Sequence, residues 1–124
     1  MTPNIPGTSL YERLGGAKGV AAISDAVVEA HKRNPIIHTR FLASDATKLK
    51  SLVSQFFSMG SGGPPQYEGR DMRTTHRGMN LTERELVAAI DDILHVLEAQ
   101  GIDPATRGEV LAIVYSLKDE VLYQ

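Results

Sequence analysis

The sequence predicts an all-α fold. Apolar residues recur at three- and four-residue intervals, no segment shows the period-two alternation of a half-buried strand, and the boundaries between apolar stripes carry helix-capping residues. Residues 1 to 8 are expected to form an irregular lead-in, because Pro3, Pro6 and Gly7 interrupt any regular element there. Val20, Ile23 and Val27 mark the inner face of a first principal helix, which Asn34-Pro35 ends by forcing the residue before proline out of the helical region. Ile36 to Leu42 leaves room for only a short turn before Asp45 can cap the next helix.

That second helix carries Leu49, Leu52, Val53, Phe56 and Phe57, and its two adjacent phenylalanines cannot point the same way. It stops at Gly60-Ser-Gly-Gly-Pro-Pro65. A third stripe, Leu86, Ile90, Ile93, Leu94 and Leu97, is bounded by Thr82 as N-cap with Glu85 three residues on, and by Gly101 beyond. Asp103 before Pro104 caps a fourth, whose stripe Val110, Ile113, Val114, Leu117 and Val121 is expected to run to the end. Periodicity alone does not separate an up-down bundle of these four helices from two crossed pairs. The connector from Gly60 to Leu81 is longer than a plain bundle needs, which points to function there.

Composition narrows the chemistry. A chain of 124 residues fits one domain, here 9 to 124, and can bury a core without covalent staples. The absence of cysteine removes disulfides, thiolate metal sites and cysteine nucleophiles. Thirteen basic against fifteen acidic side chains, a formal charge of −2, leave no basic stripe for nucleic acid. No apolar run approaches a membrane span and the opening residues lack a signal pattern, so a soluble cytoplasmic protein with no membrane partner is expected. There is no Gly-x-Ser-x-Gly and no phosphate-loop glycine pattern. Asp92-Ile-Leu-His95 has the i, i+3 spacing of di-metal bundle sites, but no second acidic-x-x-His accompanies it.

The connector carries His76. Arg70 to Gly78 reads as a brief helix with Met72 and His76 one turn apart on the same face. A neutral imidazole nitrogen is a ready iron ligand provided the other ring nitrogen has an acceptor to set tautomer and ring plane; a carbonyl one turn back could serve. An ordinary surface histidine would fit the same spacing.

The run Gly62-Gly-Pro-Pro-Gln-Tyr67-Glu-Gly69-Arg70-Asp-Met72-Arg-Thr-Thr-His76 resembles the segment of group I truncated haemoglobins that leads into the proximal histidine. Ser9-Leu-Tyr-Glu-Arg-Leu-Gly-Gly16 is similar to the family's clipped first helix, and the likeness extends over residues 9 to 124. The resemblance implies a truncated globin: a 2-on-2 helical sandwich around haem b, with His76 as the iron ligand and oxygen, carbon monoxide or nitric oxide exchanging opposite it. It implies haem contacts from Tyr67, Met72 and Phe41, with Phe56 or Phe57 at the inner edge and Lys48, Arg70 and Arg73 as candidates for the propionates. Where the family often has two adjacent aromatics, Arg40 precedes Phe41.

The distal side departs from the family. The position usually held by a hydrogen-bonding tyrosine falls on Val28, preceded by Val27 where phenylalanine is favoured; the frequent distal glutamine falls on Leu49, with Leu52 and Val53 at the next inward positions. A register slip would bring Ser51 or Gln55 inward instead. His31 is a candidate sixth ligand if it faces inward from the first principal helix, or a partly buried structural histidine if it faces a neighbouring helix; His38 is expected to be exposed. Gas carriage, sensing and nitric oxide dioxygenation all use such a site, the last with an electron-donating reductase. A haem-free globin scaffold is the reading from another class. A monomer is expected.

Overall fold

The computed structural model describes residues 9–42, 45–63 and 72–124. The expected lead-in, together with Tyr67 and Arg70, lies outside them. Seven α-helices and one 3-10 turn follow in order among the described residues: α1 (Leu10–Arg13), α2 (Gly16–Arg33), the 3-10 turn His38–Phe41, α3 (Ala46–Gly60), α4 (Met72–His76), α5 (Glu83–Ala99), α6 (Pro104–Ser116) and α7 (Lys118–Val121).

The caps are local chemistry carried out as the sequence suggests. Ser9 and Thr82 each close a capping box, with Glu12 and Glu85 respectively, while the side chains of Asp45 and Asp103 accept from the backbone amides of Lys48 and Thr106. Pro104 occupies the first turn of α6, where its missing N–H costs nothing. Between α1 and α2 the chain reverses through Gly15 at φ 103°. Gly19 then passes so close to α1 that a Cβ there would lie 2.1 Å from the Leu14 carbonyl oxygen.

Two apolar clusters result among the described residues. Leu14, Val20, Ile23, Val27, Phe57, Ile93, Leu97 and Val110 form the larger, joining α1, α2, α3, α5 and α6. Leu81, Leu86, Ile90 and Val121 form the smaller, with Met72, Met79 and Leu122 packed on it.

The helix contacts decide between the two arrangements that periodicity leaves open. α2 packs on α3, α5 on α6, and the two pairs meet through α2 and α5. In an up-down bundle α3 would lie beside α5, the next principal helix, and it makes no comparable contact with α5 or α6. The molecule is two helix pairs, layered.

One element differs from expectation. The fourth stripe does not run as a single helix: α6 ends at Ser116, the Leu117 N–H turns back to the Val114 carbonyl at 3.1 Å, and α7 follows as a separate turn. At Leu122 the backbone becomes extended (ψ 135°) and forms a single parallel bridge with Leu81. Val121 and Leu122 reach the smaller apolar cluster through this redirected path, so burial outweighs the local preference to continue the helix.

Candidate functional site

His76 closes α4, and its half-buried imidazole is oriented from within the helix. Nδ1 donates to the Met72 carbonyl oxygen at 2.7 Å. That bond places the ring proton on Nδ1, leaving Nε2 with its lone pair as the donor atom that a metal takes. Met72, one turn back, turns its side chain into the smaller apolar cluster with Leu81, Leu86 and Ile90. Arg73 is exposed on the same short helix.

α3 carries a second apolar surface. Leu49, Leu52, Val53 and Phe56 are apolar yet only half-buried, since α3 rests chiefly on α2; of the four, Val53 also packs against the larger cluster. A stripe of this kind suits a large flat apolar group better than water. Phe57 is turned away from that stripe, into the larger cluster, and meets Phe56 edge-on at 5.9 Å. It borders a small apolar cavity of about 10 Å³ that Leu10, Leu14, Val110 and Val114 also line. Lys48 is exposed at the start of α3. Ser51 is exposed and receives a 3.4 Å hydrogen bond from the Gln55 amide.

Val28, on α2, is 1% exposed and has no polar atom in its side chain. It belongs to neither apolar cluster.

His31 lies three residues further along α2, and the structure ties it elsewhere. Its Nδ1 is 2.8 Å from Asp92 Oδ2 on α5, and its ring stacks on Phe41 with centroids 5.6 Å apart. The Asn34 amide donates to both Asp92 oxygens at 3.1 Å. Asp92 thus serves the α2–α5 contact. It is not paired with His95, which is exposed one turn away, and the i, i+3 spacing that suggested a metal pair reflects no joint site. Among the described residues no cluster of three or more His, Asp or Glu could hold a bare metal ion. His38 is exposed.

Arg40 holds the 3-10 turn in place through a paired contact to Glu85, with Nε 2.8 Å and Nη2 3.1 Å from the two carboxylate oxygens. The Arg40 hydrogen bond, aided by the Thr82 cap, outweighs burial and keeps the Glu85 carboxyl below its ordinary range. Phe41, next in sequence, is half-buried between this latch and the His31 ring. Asn34, Asp92 and Glu85 were not identifiable as supports from the sequence. Each acts across at least 45 residues, and only Glu85 carries a local signal, its role in a capping box.

The residues that fit a haem are therefore an imidazole with one nitrogen tied and one free, a thioether beside it, and an apolar half-buried stripe on α3. Comparison with known proteins points the same way. A family model described as "Bacterial-like globin" matches residues 9–123. Among curated proteins, the Group 1 truncated hemoglobin LI410 of Chlamydomonas moewusii is 29% identical over 116 residues, covering 92% of this chain and 68% of that protein. The Group 1 truncated hemoglobin GlbN of Nostoc commune is 28% identical over 118 residues, covering 93% and 98%. Among solved structures, the truncated hemoglobin of Tetrahymena pyriformis in its Fe(III) form superposes with a TM-score of 0.92 at 24% identity, over 94% of this chain and all of that one. The 2/2 hemoglobin of Synechococcus sp. PCC 7002, in its cyanomet state with covalently attached heme, gives 0.86 at 26% identity, over 93% and 98%.

Proposed function

Because the chain belongs to the bacterial-like globin family, as a truncated globin of the 2-on-2 type, we propose that it binds haem b through His76 and takes up diatomic gases at an unusually apolar distal site. The observation that carries this reading is the 2.7 Å bond from His76 Nδ1 to the Met72 carbonyl, which leaves Nε2 free and sets the ring plane. Bound haem would supply an iron that exchanges oxygen, carbon monoxide or nitric oxide.

The chain's own residues do the rest. His76 anchors and orients, and Met72 with Leu52, Val53 and Phe56 provides apolar walls that exclude water. Lys48 on α3 and Arg73 on α4, both exposed, would partner the propionates, with Tyr67 and Arg70 proposed as further contacts from the connector. On the distal side Val28, Leu49, Leu52 and Val53 offer no hydrogen-bond donor. Bound dioxygen carries partial negative charge on its outer atom and loses about 1–3 kcal/mol of stabilisation without a donor. Carbon monoxide and nitric oxide depend less on one, so the pocket favours them relative to oxygen.

The test is the absorption spectrum of protein produced with haem supplied, repeated for His76→Ala. A Soret band with histidine-ligated ferrous features is expected in the parent and their loss in the variant. A parent without a Soret band would remove the haem reading, and an unchanged ferrous spectrum in His76→Ala would remove the ligand assignment.

A further inference from the structure

We propose that the segment following α6, Lys118 to Gln124, is a strap that positions the His76 imidazole, with the backbone at Tyr123 as its strained clasp. The proposal rests on the reading of His76 as an iron ligand. α4 is a helix of five residues, too short to hold its own direction. Among the described elements it packs chiefly against α7. Met72 and Met79, which flank His76, meet Val121 and Leu122 in one apolar cluster.

Immediately after His76 the chain reverses. Met79 N–H donates back to the His76 carbonyl at 3.1 Å, and Gly78 and Asn80 take φ of 85° and 48°. The amides of Gly78 and Asn80 both donate to the backbone oxygen of Gln124, at 3.1 and 3.0 Å, and the Tyr123 amide donates to the Leu81 carbonyl at 3.0 Å. Three backbone bonds therefore clip residues 123 and 124 onto the turn that leaves His76. The Gln124 side-chain amide closes the strap on itself, donating to the carbonyls of Asp119 and Leu122 at 2.9 and 3.1 Å.

Tyr123 is where the clip is under load. Its φ of 54° lies in the left-handed region, which asparagine tolerates at position 80 and tyrosine disfavours. The residue is 59% exposed, so burial does not account for the conformation. The flanking hydrogen bonds impose it. Such strain persists where surrounding structure over-determines the backbone, and here that structure is the turn beside His76.

Two substitutions at this exposed position separate the strap from general stability. Proline cannot adopt a φ of 54° and has no N–H for Leu81, whereas glycine keeps the N–H and adopts that φ freely. With haem supplied, Tyr123→Pro is expected to raise amide exchange at Arg77 and Met79 by tenfold or more and to shift or broaden the ferrous iron–histidine stretching band. Tyr123→Gly should match the parent in both. A chain ending at Leu122 loses the same three bonds without a proline and should behave as Tyr123→Pro does. Parent-like exchange at Arg77 and Met79 in either disrupted form would overturn the proposal, as would a parent-like iron–histidine band alongside raised exchange. If His76→Ala retains that band, the ligand assignment fails by itself; the exchange comparison then still decides whether the strap holds the turn.

Discussion

Val28 shows how much one side chain can decide. It is 1% exposed on α2, and its two methyl groups can neither donate nor accept, so under the proposed haem reading it offers a bound gas no hydrogen bond. Val28→Tyr is expected to slow oxygen dissociation roughly tenfold to a hundredfold, the kinetic equivalent of one hydrogen bond in a dry pocket. Stopped-flow displacement by carbon monoxide measures it; slow release already in the parent would mean that another group donates. Asp92 is the other decisive residue, since it accepts from Asn34 and pairs with His31 in a partly buried contact between α2 and α5. Asp92→Ala should cost about 1–3 kcal/mol in urea unfolding, because it leaves two partly buried polar groups without their partner. His95→Ala, one turn along and exposed, should stay within about 0.5 kcal/mol. Equal effects would undo the distinction drawn between these two neighbours.

At the scale of elements, Glu85 works for two of them. It completes the Thr82 capping box at the start of α5 and anchors the 3-10 turn through Arg40. Glu85→Ala should cost about 1 kcal/mol of stability for the cap, with the partly exposed ion pair adding little. It should also loosen Phe41, which sits between the latch and the His31 ring. The arginine's hydrogen bond lowers the folded Glu85 pKa below its ordinary value of 4.5. The ionised form therefore favours the native state: its contribution is complete above that ordinary value and disappears as pH falls through the lower folded value. Thermal midpoints of the parent and Glu85→Ala should converge as acid is added below about pH 4.5; a constant gap would show that the carboxylate charge is not what stabilises.

At the scale of the whole molecule, α3 rests chiefly on α2 and keeps an apolar stripe half-buried. A ligand seated there binds the native state and not the unfolded chain. At free haem a thousandfold above its dissociation constant the stabilisation would be about 4 kcal/mol. Haem extraction should consequently lower the thermal midpoint of the parent, and His76→Ala should lose most of that difference. A midpoint indifferent to haem would argue for the haem-free scaffold. Among the described residues no helix is long and apolar enough to cross a membrane.

The elements were legible because their signals are local. Apolar spacing and the caps Asp45, Thr82 and Asp103 act within one or two turns, and His76 with Met72 needed only the i, i+4 geometry of a helix. Phe57 shows where that legibility ended: its position on α3 was readable, but its direction, into the core rather than along the half-buried stripe, follows from what α1, α2 and α6 place against it. The break at Leu117 is of the same kind, since its stripe reads as continuous helix and only the burial of Val121 and Leu122 beside Leu81 accounts for the turn. Local signals account for the helix starts at Asp45, Thr82 and Asp103 and for the placing of His76 one turn from Met72 on α4. Tertiary structure decided that His31 serves Asp92, that Arg40 latches Glu85 and that residues 123 and 124 clip the turn after His76. Those contacts join residues some 40 to 60 positions apart, a separation at which no periodicity or capping rule carries information.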